Sequence, residues 1–450
     1  MKRCKLYWRP IEITDTQPVQ RHTVAHIRKM ITLCGIALIL IICMLSAGCW
    51  DKVELENRGF IVSLGIDKYD EENQSNQAME GAHVQNRFTV CAALPNVIDM
   101  KESAVSDKSK EVKSADSSTI WGCIQLMDAA SSRKLYLGQS KLLVLGNDLL
   151  SDEKLFRQAV DAMERNRDIS QKLYIMSTKG RAGEILRLPL PGEPMLGLYM
   201  VNYYKNNGSG GSISFYKVLE KVVFDLRSTG CTLIPKIDKS GATEQENNED
   251  GDSEDDEDTA GDAEQDKKET SGSEEKKSDK ITLGGCAVIK DYKLVGWLDD
   301  LETRGFAWVI KDCRGTEVAV SYDNGYIPLK IYKSKPKIKF FQQDGKLICS
   351  IIVKISGAIH EHDSDGAELY DMDYGALETA FAEAVSKEIT ETASKLRDKM
   401  GADVYNFKDL LRKKNYGLYK AYGDDWEKHF REMEIIPDVK VDIISIGIIK

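Results

Sequence analysis

The sequence predicts a mixed α/β and α+β protein, three domains of mixed sheets covered by helices behind a leader, and three observations carry that reading. Elements alternate between strand and helix from about residue 59 to residue 200. Strands come first and helices after them from Glu317 onward. Between these regions, strands and helices are interrupted by one long acidic stretch. Alternation builds a mixed sheet with helices on its faces, whereas strands followed by helices build segregated layers. The expected divisions are 1–48 for the leader, then 49–210, 211–315 and 316–450. About 400 residues after the leader are enough for several cores of ordinary size.

Hydropathy marks the leader. Ile31 to Leu45 is a run of 15 residues, apolar apart from Thr32 and the small Cys34 and Gly35, and it follows Arg28 and Lys29. A spanning helix needs about 20 apolar residues, so this run reads as the core of an export signal peptide behind a long, mildly basic leader. Ala47 and Gly48 are small enough to let a peptidase approach the backbone, and Cys49 offers a thiol to a diacylglycerol. This is the lipobox arrangement of bacterial lipoproteins, with Ser46 where a larger aliphatic residue is preferred and Leu45 one position early. Lipidation is therefore expected at Cys49, in preference to an uncleaved anchor in which that cysteine is incidental.

In the body, residues 59–66 are apolar and rich in β-branched side chains, and 87–94, closed by Pro95, are a second such run that can pair with the first as a hairpin. Residues 99–118 are polar and read as a loop. Ile120, Cys123, Ile124 and Met127 have helical spacing, 134–138 and 141–146 read as strands, and 151–165 is a helix with Ser151 at its N-cap. A strand is expected at 169–178, a helix at 214–226 and a strand at 231–237. From Glu244 to Asp279 there are 17 acidic residues and four lysines, a net −13 against −10 for the whole chain, which leaves the remainder at +3. With almost nothing to bury, this stretch cannot offset its ordering entropy and is expected to be a disordered loop between two strands. Beyond it, 283–290 and 293–298 read as strands around a turn at Asp291 and Tyr292, and 299–310 as a short helix. Strands follow at 317–322, 327–332, 337–341 and 347–359, then a long helix at 375–400 with Leu377, Phe381, Ile389 and Leu396 along one face. Helices near 406–414 and 424–432 and a strand at 439–446 close the chain.

The candidates for chemistry are few. No basic stripe interleaved with aromatics gives nucleic acid an electrostatic footprint. Cys91, Cys123, Cys231, Cys286, Cys313 and Cys349 have no close spacing, so they are expected as small buried hydrophobes rather than a zinc or disulfide framework. His360 and His362, beside Asp363 and Asp365, share a face if they lie on a strand, but a metal site usually draws ligands from several segments, so a solvated strand end is the favoured reading. Glu302 and Arg304 are expected in a buried or interfacial ion pair near Trp297 and Trp308, serving to seat a helix on a sheet. In the same block Cys286, Val288, Leu294, Val295 and Trp297 are expected to be buried on at least one face. No Ser-His-Asp or Cys-His spacing and no Gly-rich phosphate loop is present. The expectation is therefore no catalytic residue, no metal and no cofactor, with Trp297, Glu302 and Arg304 as structural or interface residues.

Several blocks also resemble a known family. They are Gly48-Cys49-Trp50-Asp51 with Glu54 and Gly65-Ile66-Asp67, Ser132-Arg133-Lys134-Leu135 with Gly138 and Lys141, and Arg167-Asp168-Ile169-Ser170. The sharpest runs from Leu283-Gly284-Gly285-Cys286-Ala287 through Leu294-Val295-Gly296-Trp297-Leu298 to Glu302-Thr303-Arg304-Gly305, and Tyr405, Gly417, Trp426 and Phe430 follow near the end. Together they resemble the C-subunit lipoproteins of spore germinant receptors. Gln139 stands where a His is common, and residues 406–407 lack the usual Gly-rich turn. The resemblance implies a three-domain, non-catalytic lipoprotein on the outer, extracytoplasmic face of the spore inner membrane, held by a diacylglycerol anchor and acting with two membrane-embedded receptor subunits. Two other readings stay open. A solute-binding lipoprotein of a transporter would show two similar lobes around a hinge, and no internal repeat is visible. A cell-wall hydrolase would need an acid/base pair in a cleft.

Overall fold

The structure is a computed structural model that describes residues 19–46, 54, 57–73, 85–96, 109–190, 192–207, 214–240, 281–322, 325–361 and 372–445. The described part of the leader forms one helix, α1 (Val19–Ser46), with apolar side chains such as Ile31, Leu33 and Ile39 exposed. Among the described residues no helix is long and apolar enough to cross a membrane.

The body, Arg58–Lys450, is a unit of its own. It opens with two strands where the sequence predicts one, β1 (Arg58–Phe60) and β2 (Ser63–Lys68), which enter different sheets. β2 forms the expected antiparallel pair with β3 (Phe88–Pro95), in register from Ser63 opposite Ala93 to Lys68 opposite Phe88. β3 pairs onward with β4 (Lys110–Ser117), in the stretch the sequence reading assigns to a loop. β4 is the sheet's edge and buries only Ala115 and Asp116, so its polar composition suits an edge strand and hides its periodicity.

After α2 (Ile120–Ala129) comes β5 (Lys134–Tyr136), which pairs in parallel with β1. There follow β6 (Leu142–Leu145), α3 (Asn147–Ser151) and α4 (Glu153–Arg165). Ser151 closes α3, and Asp152 caps α4 instead by accepting from the Leu155 amide. β7 (Tyr174–Ser177) is shorter than expected, and the sequence reading has no counterpart for α5 (Ala182–Arg187) or α6 (Leu196–Asn207). Then come α7 (Leu219–Ser228), β8 (Cys231–Lys239), β9 (Ile281–Lys290) and β10 (Lys293–Leu298). The main sheet has eight strands in the order β10-β9-β8-β7-β6-β2-β3-β4. Its centre, from β8 to β2, is parallel and its two margins are antiparallel. Lys239 stands opposite Ile281, so the acidic stretch leaves and re-enters the sheet at one point; its expected disorder falls on 241–280, outside the described residues.

Both faces of this sheet are covered. Leu64, Ile66, Leu143 and Leu145 pack with α2, α4 and α7, while Leu142, Val144 and Met176 pack with α5 and α6.

α8 (Asp300–Ile310) leads to the second sheet, made of β11 (Glu317–Tyr322), β12 (Gly325–Gln343), β13 (Lys346–Ala358) and the terminal strand. Between β13 and that strand lie α9 (Tyr374–Ser394), a π-helical turn at Lys395–Lys399, α10 (Phe407–Lys414), α11 (Tyr416–Tyr422) and α12 (Trp426–Glu432). β14 (Glu434–Ser445) closes the order β11-β12-β13-β14, parallel to β13. The two strands expected at 327–332 and 337–341 are one 19-residue strand. Ser334 holds the link: its amide donates to Asp312 Oδ1 at 2.7 Å and its hydroxyl accepts from the Cys313 amide at 2.8 Å. Past Lys330 the strand is no longer paired to β11, so Pro336 meets no ladder on that side.

One core, with residues from Phe215 to Val441, lies against this sheet and α8 to α12, and takes in Cys231, Leu233, Cys286, Val288 and Leu298 from the first sheet. The eight-stranded sheet thus continues on both sides of residue 210, and a single core on both sides of residue 315. Among the described residues none before Ile61 belongs to any of the three clusters, so the body carries its own cores.

Candidate functional site

The block from Gly284 to Ile310 is where the two sheets meet. β9 alternates: Cys286 and Val288 enter the core of the second sheet, while Ala287 and Ile289 face α2, α4 and α7. Its turn into β10 places Asp291 and Tyr292 at φ 48° and 65°, the pair of positive values that a two-residue hairpin turn requires. Gly285 (φ 73°) sits beside a register shift, and a Cβ there would come within 2.6 Å of the Leu298 carbonyl. A Cβ on Gly284 would meet Asp300 Oδ1 at 2.3 Å, so the glycine pair lets the start of α8 lie against β9. α8 begins with a capping box in which Glu302 N donates to Asp299 Oδ1 at 2.8 Å and Asp299 N to Glu302 Oε2 at 2.9 Å.

α8 is bound to α9 and its π-helical end by ion pairs and side-chain hydrogen bonds. Glu302 and Arg304 do not pair with each other as expected, because side chains two residues apart on a helix do not face one another. Each reaches α9 or its π-helical turn instead. Lys395 Nζ donates to both Glu302 oxygens at 2.6 Å and to the Trp297 carbonyl at 3.1 Å. The Arg304 guanidinium grips Glu388 through two nitrogens and reaches the Glu317 carbonyl at 3.0 Å. Trp308 Nε1 donates to the same Glu388 at 2.9 Å, and Thr392 Oγ1 to the Glu302 carbonyl at 3.1 Å. Gly305 makes the close approach possible, since a Cβ there would stand 2.2 Å from Thr392 Oγ1 and 2.5 Å from the Glu388 carbonyl. Trp308 is fully buried. Leu294 and Trp297 are only partly buried and Val295 is exposed, against expectation, because β10 is the other edge of the sheet and its register shifts between Leu294 and Gly296.

A second polar cluster links α7 to the loop before α10, and sequence reasoning missed it. Asp225, fully buried, accepts from Lys217 Nζ at 2.6 Å, Lys221 Nζ at 2.7 Å and Thr232 Oγ1 at 3.2 Å. Burial pushes the Lys217 ammonium below its ordinary range, against the pull of Asp225. Asn406 donates to Asp225 at 3.4 Å and itself stands at φ 58°. Asn is among the few side chains that tolerate this conformation, so it takes the place of the glycine-rich turn absent at 406–407. Asp403 accepts from the Phe407 and Lys408 amides at 2.9 and 3.0 Å and from Trp426 Nε1 at 3.0 Å, yet burial raises its carboxyl to about 6. On the first sheet Asp67 accepts from the Ala182 and Gly183 amides at 2.7 and 3.0 Å, while Gly65 lies against Ala182. The Gly65-Ile66-Asp67 motif thereby fixes the start of α5. The signal available for all three carboxylates was an acidic residue inside or beside an apolar run.

Cys49 lies outside the described residues, as does His362; His360 is held by Tyr332 Oη at 2.8 Å. Among the described residues no group of His, Cys, Asp and Glu could hold a metal ion. The six body cysteines are free and buried, and burial pushes the thiols up, Cys91 to about 11 and Cys286 to about 12. Thiols this weakly acidic are poor nucleophiles.

Comparison with known proteins places both halves of the body. Residues 51–239 match the family described as spore germination protein N-terminal domain, and residues 284–447 the family described as spore germination B3/GerAC like, C-terminal. Spore germination protein B3 of Bacillus subtilis (strain 168) is 22% identical over 406 residues, covering 89% of this chain and 94% of that protein. Spore germination protein KC of the same organism is 21% identical over 431 residues, covering 92% and 94%. The crystal structure of the GerBC protein shares the fold, with a TM-score of 0.50 and 17% identity over 83% of this chain and 98% of that one. The chain belongs to the spore germination B3/GerAC-like family.

Proposed function

We propose that this protein is a non-catalytic, lipid-anchored subunit of a spore germinant receptor. Export removes residues 1–48, a diacylglycerol on Cys49 holds the body at the outer face of the spore inner membrane, and two membrane-embedded subunits are its partners. The observation that carries this reading is the pair of family matches, one on each half of the body, with relatives named for spore germination along most of the chain. The geometry supports association over chemistry. Around α8 the charged groups are spent on one another across α9, and the buried thiols stay protonated. One acyl chain gives marginal anchoring and two give stable attachment, at about 0.8 kcal/mol per buried methylene. The test is Cys49→Ala in spores: an alkaline wash should release the variant from the membrane fraction and nutrient-triggered germination should fail. A variant fully retained after the wash would point to an uncleaved anchor.

Trp297, Glu302 and Arg304 act, in this proposal, through the fold. Alanine at each should lower membrane abundance together with the germination response. Normal abundance with no response at all three would make the block a contact surface for a membrane partner. The division into 49–210, 211–315 and 316–450 belongs to the same proposal. Denaturant unfolding followed by more than one probe tests it, since independent domains give separate transitions and one concerted transition merges them.

A further inference from the structure

Among the described residues the second sheet has one face that no helix of its core covers. α8, α9, α10, α11 and α12 contribute to the core on one side of β11–β14. On the other side, Lys333, Lys335, Lys337 and Lys339 follow one another along β12, all exposed. Strand pairing then adds to them. Lys335 stands opposite Lys354 of β13, and Lys354 opposite Lys440 of β14, so three exposed lysines form a row across three neighbouring strands. Like charges directly opposite on a sheet are destabilising. Among the described residues none of these six lysines is in an ion pair. The acidic residues on the face, Glu317 on β11 and Glu434, Asp438 and Asp442 on β14, lie opposite Lys330, Ile348, Ile352 and Ser356 rather than within the row. Exposed apolar side chains share the face: Tyr326 at 62%, Phe341 at 41% and Ile436 at 38%. Four of the lysines alternate along one strand in the sequence, and strand pairing brings Lys354 and Lys440 beside them.

We propose that this face docks on an anionic phospholipid surface. Ammonium groups among half-exposed rings match the headgroup region of a bilayer, where the cations meet lipid phosphates and the apolar groups enter the boundary. The acidic stretch of the same chain is the strongest competitor for the face, with its net −13. Its only apolar residues are alanines, so it has little with which to cover Tyr326, Phe341 and Ile436. The proposal rests on the membrane setting of the proposed function but not on Cys49. Docking orients the body on the bilayer, with the acidic stretch repelled from it.

The experiment uses the body alone, Arg58–Lys450, which holds all three cores, so a failure of lipidation leaves the outcome unchanged. Co-sedimentation is measured with vesicles of equal parts phosphatidylglycerol and phosphatidylcholine, and with phosphatidylcholine alone. The body should bind the anionic vesicles in a salt-sensitive way and the neutral ones hardly at all. Each lysine near an anionic surface is worth roughly fivefold, so K335A/K354A/K440A should lower the partition by roughly 100-fold, with its melting temperature retained. The control K172A/K387A, at exposed lysines outside the face, should bind as the parent does. Equal binding by the triple variant, or equal binding to neutral vesicles, overturns the proposal. So does a parent body that ignores anionic vesicles. Binding that appears only after residues 244–279 are deleted would assign the face to the acidic stretch instead.

Discussion

In the eight-stranded sheet two successive residues of one strand are both buried, as Leu142 and Leu143 of β6 are, whereas in the four-stranded sheet Ile338 is buried and Lys337 beside it is exposed. Side chains alternate between faces in both sheets, and the difference lies in how many faces are covered. β6 sits in the parallel centre with helices on either side, so its alternation leads from one core to another. β12 has a core on one side only, and its burial alternates along the strand on either side of a register shift between Ile331 and Lys333. The comparison teaches that a continuous apolar strand marks two cores, and an alternating one marks a core and a surface.

The junction between the two sheets should show the largest effect. Glu388→Ala leaves the Arg304 guanidinium and Trp308 Nε1 without their shared acceptor, and breaking this part-buried pair should cost, in urea unfolding, at most the loss of about 3 to 5 kcal/mol seen for a fully buried one. The comparison itself is sharpened by two adjacent pairs. Leu142→Ala and Leu143→Ala should each cost about 2 to 5 kcal/mol, and so should Ile338→Ala, while Lys337→Ala should change little. Comparable losses at Lys337 and Ile338 would break the one-core reading of the second sheet.

Asp403, beneath the second sheet, should give that side a pH dependence. Its carboxyl is raised from 3.8 to about 6 by burial, so the folded state binds the proton more tightly than the unfolded one. The associated stability is fully present below about pH 4 and is lost as pH rises toward about 6, by up to about 3 kcal/mol. Asp403→Asn should flatten the melting temperature between those values; an unchanged slope would remove Asp403 as its source. On the open face, Lys354→Glu places a carboxylate between Lys335 and Lys440, and should raise stability by about 0.2 to 1 kcal/mol, less at high salt. The smallest effect should follow deletion of 244–279. Lys239 and Ile281 already stand opposite each other, and loop closure changes by only about 0.6 kcal/mol per doubling of length. A sharp drop in melting temperature would mean that the stretch is packed.

The strongly periodic elements were legible: the β2–β3 hairpin, α4, α8, α9 and the turn at Asp291 and Tyr292 lie where spacing and turn chemistry put them. What escaped was whatever lacked a period of its own. β4 is polar because it is an edge, α5 is too short to show a helical stripe, and β12 looked like two strands because Ser334 and Pro336 interrupt its apolar residues. The carboxylates Asp67, Asp225 and Asp403 gave no signal beyond their position, since their partners are distant in the chain.

Local chemistry in the sequence was enough to determine strand and helix where one face had to be buried, the turn at Asp291 and Tyr292, and the family blocks. Tertiary structure alone decided which charges meet. Glu302 and Arg304 each found a partner about 90 residues away on α9 or its end, and Lys335, Lys354 and Lys440 became neighbours through strand pairing. Periodicity reports the direction in which a side chain points, but pairing depends on what other element arrives there, and that is fixed only when the cores close.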